Sequence, residues 1–380
     1  MTDQLIAMIL QGGGALGAYQ AGVFEQITAK GFVPDWIVGT SIGAINGAII
    51  AGNEPEHRVD KLASFWRSVG PAASWFDLWT PKGLAEAFDP LVPMLTSLSK
   101  NRAVLSAITR GIDGFFEPRL PFNFDLNASV PLNKAGFYDT SPLHQTLLDH
   151  IDFDYLNDGP VRLSVCAVNV ETAEFTVFDT ADKSAGPIGP GHIMASGALP
   201  PAFPPVLIGE HAYWDGGIYS NTPLEVLLND DLCHDALVFM VDLWDPTERL
   251  PTTMPGVMDR MKSIQYTGRT TAQIRIRKRL EDLQKAIGLL AEQIPADRLA
   301  DPAIAALAAK GRNRTVNVIR LIMEALEGDD QFRDVDFTAA TIDARWAAGN
   351  ADAVRALRHK AWLEPVPPHA GLVIHELDQD

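Results

Sequence analysis

The first fifty residues run twice through one unit: a short apolar stretch, a glycine-rich turn, then residues of helical composition. Leu5 to Leu10 reads as a strand, Gly12-Gly13-Gly14 as a turn, and Ala15 to about Ala29 as a helix. Trp36 to Val38 reads as the second strand and Gly39-Thr40-Ser41-Ile42-Gly43 as the second turn, with a helix beginning near Ile42. Parallel neighbours need a crossover between them, usually helical, and such sheets are covered on both faces. This βαβα start therefore predicts an α/β core with a mainly parallel sheet and helices on each side.

Further strands are expected at Arg162 to Val170, Glu174 to Phe178 and Ala236 to Leu243, with helices starting near Asp139 to Leu143 and at His192 to Ala198. Residues 70–137 break the rhythm and are rich in proline and aromatics, among them Trp75, Phe76, Trp79, Phe115, Phe116 and Phe122. A connection this long is a functional covering or irregular packing. Its aromatics suit either an acyl-chain channel or lid, or ordinary core filling. Beyond Asp245 helix formers prevail, apart from a β-rich run at Thr315 to Met323, and a last helix is expected over Phe337 to Leu357.

The net charge of −17 argues against a general nucleic-acid binder, since such a surface repels phosphate backbones. Two cysteines, Cys166 and Cys233, are too few for a disulfide framework and point to a reducing compartment. The start Met1-Thr2-Asp3-Gln4 lacks the basic residues of a signal peptide, and no stretch approaches the ~20 apolar residues of a membrane span. The expectation is a soluble, cytoplasmic protein.

Three glycine-rich motifs carry chemistry. Gly12-Gly13-Gly14-Ala15-Leu16-Gly17 satisfies G-x-G-x-x-G after a strand, so a dinucleotide-binding protein is one reading. That reading wants an acid at the end of the second strand, where this chain has Gly39-Thr40-Ser41. The other reading is an oxyanion hole built from the amides of Gly13 and Gly14. Gly39-Thr40-Ser41-Ile42-Gly43 is G-x-S-x-G between a strand and a helix, a strained turn that lifts a serine hydroxyl above the sheet edge. Asp215-Gly216-Gly217 is by itself an ordinary turn, yet Ser41 needs a base. None of the nine histidines stands in a setting that singles it out, so Asp acting directly on Ser41 is the simpler proposal.

Together, in this order and spacing, these motifs resemble the patatin-like phospholipase family. Ala195-Ser196-Gly197-Ala198-Leu199-Pro200, Phe203-Pro204-Pro205 and Asn221-Thr222-Pro223 add to the resemblance, which covers roughly residues 5–245. It implies a three-layer α/β/α fold with a mainly parallel central sheet, and a Ser-Asp dyad without cofactor or metal. Ser41 would be the nucleophile, Asp215 the general base, and Gly13 and Gly14 the oxyanion donors. Gly12, Gly17, Gly39, Gly43, Gly216 and Gly217 would support them. The implied activity is hydrolysis of lipid acyl esters, or of other hydrophobic esters, or acyl transfer. Leu16 departs from the Arg or Lys that many members carry there.

The resemblance implies a hydrolase domain over residues 1–245, with 70–137 as its covering. Residues 246–380 look like the mostly helical carboxy-terminal extension, of uncharacterised role, of one bacterial branch. That extension holds a basic run that includes Arg275, Arg277, Lys278 and Arg279. It reads either as peripheral contact with the inner membrane surface or as the solvated face of a helix packed through Ile276, Leu280, Leu283, Ile287 and Leu290.

Overall fold

The computed structural model describes residues 4–69, 107, 109–119, 129–232, 234–248, 250–326 and 329–376. Trp75, Phe76, Trp79, Phe122 and Cys233 lie outside the described residues. The strands are β1 (Leu5–Leu10), β2 (Trp36–Thr40), the ribbon pair β3 (Glu117–Pro118) and β4 (Tyr138–Asp139), β5 (Arg162–Asn169), β6 (Phe175–Asp179), β7 (Val206–Ile208), β8 (His211–Asp215), β9 (Ala236–Asp242), β10 (Val316–Ile322) and β11 (Leu372–Glu376). The helices are α1 (Ala18–Ala29), α2 (Ile42–Ala51), α3 (Arg58–Ser68), α4 (Ser141–His150), α5 (Phe153–Asp158), α6 (Pro190–Ser196), α7 (Leu224–Asn229), α8 (Met254–Ala291), α9 (Ala296–Leu299), α10 (Pro302–Ala308) and α11 (Ala339–His359).

One nine-stranded sheet runs β11-β10-β9-β1-β2-β5-β8-β7, with β6 also paired to β5. The strands from β11 to β5 are parallel, as the βαβα start predicts. Strands β6, β7 and β8 run antiparallel to their neighbours. The two-residue side-chain period splits β1 between two cores. Met8 and Leu10 join a cluster with Phe24 of α1 and Ile45 of α2. Ala7 and Ile9 join the opposite one, under Leu224, Leu227 and Leu228 of α7 and Ile274 of α8. The result is a helix–sheet–helix sandwich.

Helix α2 has no polar face, and all ten of its residues are buried. Its one polar side chain is satisfied: Asn46 Nδ2 donates to Gly17 O and Gln20 Oε1, and Trp66 Nε1 donates to Asn46 Oδ1. This fixes α2 behind the turn that holds Ser41.

The chain beyond residue 245 continues the same sheet, because β10 pairs with β9 and β11 with β10. Helix α11 lies against α1 at backbone contact. A Cβ at Gly22 would stand 2.1 Å from the Trp346 carbonyl oxygen, and one at Gly349 would stand 2.1 Å from that of Tyr19. Glu25 accepts from Trp346 Nε1 and Asn350 Nδ2, and Tyr19 donates to Asp352.

Helix α8 corrects the packing expected from its apolar stripe. Ile276, Leu280, Leu283 and Leu290 face outward, and the helix packs through Ser263, Thr267, Thr270, Glu281 and Gly288. The basic run is likewise divided. Arg277 donates to Asn229 and Lys278 to the Leu372 carbonyl, whereas Arg275 and Arg279 stand exposed. Among the described residues no helix is long and apolar enough to cross a membrane.

A helical glycine is ordinarily replaced by alanine with a gain of roughly 0.5–1 kcal/mol. At the α1–α11 crossing the new methyl has nowhere to go, so Gly349→Ala is expected to lose about 1–3 kcal/mol instead. Urea unfolding of the two proteins checks the sign.

Candidate active site

Strand β2 ends at Thr40 and α2 begins at Ile42, so Ser41 alone makes the turn. Its φ of 56° and ψ of −124° place a non-glycine residue in a sparsely populated region, at a cost of about 1–3 kcal/mol. The flanking glycines are required by contact. A Cβ at Gly43 would lie 2.2 Å from Leu10 O, and one at Gly39 would lie 2.5 Å from Gly43 O. Strand β1 and the start of α2 are thus packed backbone to backbone, and the turn has no room to relax. The N-terminus of α2, with its partial positive charge, lies at the serine.

Asp215 reaches the same point through β5. Along that strand Cys166 pairs with Thr40 of β2, and the next residue, Ala167, pairs with Asp215 of β8. The residue after Thr40 and the last residue of β8 therefore share one corner. Gly216 turns the chain there, close enough that a Cβ would stand 2.5 Å from Cys166 O. Gly217 N donates to Asp215 Oδ1 at 2.7 Å, and the Ser41 hydroxyl lies beside the same carboxylate, where it favours the ionised form. Asp215 is 3% exposed. Burial raises its pKa to about 7, against the opposing pull of Gly217 N and the Ser41 hydroxyl.

The first glycine turn faces this pair. Gly12 N donates to Asn221 O, while Asn221 Nδ2 and Trp244 Nε1 donate to Gly12 O at 3.0 and 3.1 Å. A Cβ at Gly12 would touch Ser41 Cβ at 3.0 Å, and one at Gly17 would strike Ile42. Among the described residues the amides of Gly13 and Gly14 have no acceptor, and both residues line the cavity in front of Ser41. That cavity of about 180 Å³ is walled by Ile45, Phe115, Phe116, Tyr138, Phe203 and Phe337, and closed by Trp244, Tyr266 and Asp334. None of the nine histidines lines it. The described residues that could group around a metal, Glu54, Glu56 and His57, are exposed and line no part of it.

Every residue singled out in the three motifs comes to this corner or supports it. Two further groups had no role assigned from the sequence. Ser196 accepts from Ser41 N at 2.9 Å and donates to Cys166 O at 2.6 Å, tying α6 to the turn. Asn221 holds the glycine loop. Both sit in segments that the resemblance marks, and Phe337 sits in one that resembles the carboxy-terminal extension, but Trp244 and Tyr266 carry no sequence signal.

A protein-family model described as Patatin-like phospholipase matches residues 8–228. The chain belongs to the patatin-like phospholipase family. A second family model, described as Patatin phospholipase, matches residues 264–369, so the carboxy-terminal part of this patatin-like chain has a family pattern of its own. An uncharacterized NTE family protein of Mycobacterium tuberculosis is 25% identical over 244 residues, covering 64% of this chain and 31% of that protein. Patatin-like phospholipase domain-containing protein 6 of Homo sapiens is 28% identical over 131 residues, covering 34% and 9%. The chain thus spans less than a third of the length of these relatives. Among solved structures, VipD from Legionella pneumophila aligns over 99% of this chain and 72% of its own at 14% identity, with a TM-score of 0.32.

A carboxyl whose pKa is higher folded than unfolded binds its proton more tightly in the folded state. Between the ordinary value of 3.8 and about 7, Asp215 therefore lowers stability as pH rises. Asp215→Asn is expected to match the parent in melting temperature near pH 4 and to exceed it by about 2–4 kcal/mol of stability above pH 7.5. Thermal melts across that range check the divergence.

Proposed function

We propose that this patatin-like chain is a serine acyl-ester hydrolase, a lipid acyl hydrolase of phospholipase A type working through a Ser41–Asp215 dyad. The observation that carries the reading is the juxtaposition of Ser41 and the buried Asp215 carboxylate in the lining of one apolar cavity, opposite the Gly13 and Gly14 amides, which have no acceptor among the described residues. Asp215 takes the proton of Ser41 as the serine oxygen attacks the ester carbonyl carbon. The carbonyl oxygen becomes an oxyanion and receives the Gly13 and Gly14 N–H groups. Collapse expels the alkoxide, which leaves with the proton held by Asp215, and Ser41 carries the acyl group. Asp215 next deprotonates a water that attacks this ester. The second collapse frees the fatty acid and returns the proton to Ser41.

The dyad needs no third group to orient a base, because Gly217 N fixes the carboxylate directly. A base with a pKa of about 7 is matched to neutral pH. The family's name and the apolar walls together favour a long-chain acyl ester as substrate. The Gly12–Gly17 turn fits an oxyanion loop better than a dinucleotide site, since Gly12 packs on Ser41 and no acid stands at the end of β2.

A fluorophosphonate probe is expected to label the parent and not Ser41→Ala, and ester hydrolysis is expected to vanish with the label. In Asp215→Asn both fall by roughly 10²-fold or more. The parent's kcat/KM is expected to drop tenfold per pH unit below about 7, as Asp215 protonates. Full activity in Ser41→Ala would end the dyad reading. A panel of phospholipids and neutral esters with product identification names the substrate.

The outer face of α8 supports a further part of the reading, contact with an anionic bilayer. Met254, Val257, Met258, Met261 and Ile264 are exposed there, and Tyr266 on the same helix lines the active cavity. In this chain of net charge −17 the one acid between residues 250 and 280, Asp259, pairs inward with Arg333, while Arg275 and Arg279 face out. Such a face suits apolar insertion beside anionic headgroups. Flotation with phosphatidylglycerol vesicles is expected, and loss of it in Met261→Asp/Ile264→Asp and in Arg275→Glu/Arg279→Glu, with hydrolysis of a short soluble ester unchanged. A parent that does not float rejects the contact.

A further inference from the structure

The glycine loop before α1 is held from outside the elements that carry Ser41 and Asp215. Its carbonyl at Gly12 accepts from the Trp244 indole, and Trp244 is fully buried. Beneath that indole lies the guanidinium of Arg333, 4.9 Å from the ring centroid. Arg333 comes from the turn between β10 and α11, and its side chain is 1% exposed. It donates to Glu248 at 2.8 Å and to Ser263 of α8 at 2.7 Å, and it pairs with Asp259 of α8 at 3.1 Å. The next residue touches the loop itself. The Asp334 carbonyl oxygen stands 2.3 Å from where a Cβ of Gly14 would be, and Gly14 has a φ of +56°. Lys262 of α8 pins this turn through Gln331 O and both carboxylate oxygens of Asp334.

We propose that the carboxy-terminal region sets the oxyanion loop, with Arg333 and Trp244 as positioning residues that fix the Gly13 and Gly14 amides through the carbonyl of Gly12. The effect is geometric. Arg333 faces two carboxylates, Glu248 and Asp259, so its charge is compensated and offers nothing to an oxyanion. What it does is hold the indole plane. The indole N–H then holds one side of Gly12, and Asn221 holds the other. Gly14 is confined between Asp334 and the cavity, so that its amide and that of Gly13 keep one direction. Buried cations paired on several sides make a stiff support, because moving one leaves the others unpaired.

The inference rests on the Ser41–Asp215 reading for its kinetic part and on the loop's own geometry for the rest. Trp244→Phe in the full chain keeps an aromatic ring at the position but replaces the bicyclic indole with a smaller phenyl, so the N–H and one fused ring are lost together. Its kcat is expected to fall roughly ten- to a hundredfold, with KM changed less than twofold and the pH midpoint of kcat/KM unmoved. Arg333→Met is expected to give the same pattern, and Arg333→Lys, which keeps the cation without the guanidinium plane, a partial recovery. Hydrogen exchange of the peptide spanning residues 11–17 is expected to rise in Trp244→Phe and Arg333→Met.

A rise in KM at constant kcat would assign Trp244 to the cavity wall and overturn the proposal. So would unchanged kcat, or unchanged exchange over residues 11–17 in Trp244→Phe. Exchange is read without turnover. An inactive parent would therefore end the dyad reading while the exchange result still decided whether the loop is held this way.

Discussion

Strand β5 pairs on successive residues with two different strands, Cys166 with Thr40 and Ala167 with Asp215, and the whole site hangs on that step. The distance from Ser41 to Asp215 in sequence is long, yet the sheet leaves almost no freedom in their separation. A shift of β8 by one residue would turn every one of its side chains to the opposite face. Trp214 would then stand where Asp215 does. Further contacts resist such a shift: Gly216 against the Cys166 carbonyl, and Ser196 bridging that carbonyl to the amide of Ser41. The same backbone oxygen thus limits both halves of the pair.

The carboxy-terminal region shares this construction. Strand β10 continues the sheet beyond β9, α11 presses its backbone on α1, and the turn at Arg333 and Asp334 reaches the glycine loop. Helix α1 follows that loop directly, so α11 and Asp334 bear on two ends of one segment. Loss of the region would expose β9 as a sheet edge and uncover the apolar face of α1, leaving Trp244 without the group beneath it. The active corner and the rear of the sheet therefore form one mechanical unit.

Much of this was legible in the sequence where the constraint is local. The turns at Gly12 and Ser41 sit between an apolar strand and a helix, and glycines there have a steric reason that the structure confirms at Gly39 and Gly43. Strands β1, β2, β5, β6, β9 and β10 each declare themselves by apolar, β-branched runs. Strand β8, His211–Asp215, is short and carries polar ends, and β11 lies among residues with no repeating pattern. Helix α8 shows the limit of periodicity. Spacing reveals that Ile276, Leu280, Leu283 and Leu290 share a face but not what that face meets, and the packing went instead to Ser263, Thr267 and Thr270. Small side chains at helical spacing permit close approach as well as apolar ones provide burial. Arg333 was invisible for another reason: a buried arginine is recognised only by partners that lie far off in sequence.

The corner holds three unfavourable arrangements at once. Ser41 has a strained backbone, Asp215 is buried with its pKa raised to about 7, and the Gly13 and Gly14 amides have no acceptor among the described residues. Each would relax if the surrounding backbone yielded by an ångström or so. The elbow cannot yield because Gly43 already touches Leu10 O, and β8 cannot because Gly216 touches Cys166 O. The glycine loop is held on one side by Gly17 against Ile42 and on the other by Asn221, Trp244 and Asp334. Arg269 of α8 also donates to the Ile218 and Tyr219 carbonyls just after Asp215, so the carboxy-terminal region bears on the turn that follows the aspartate as well as on the glycine loop.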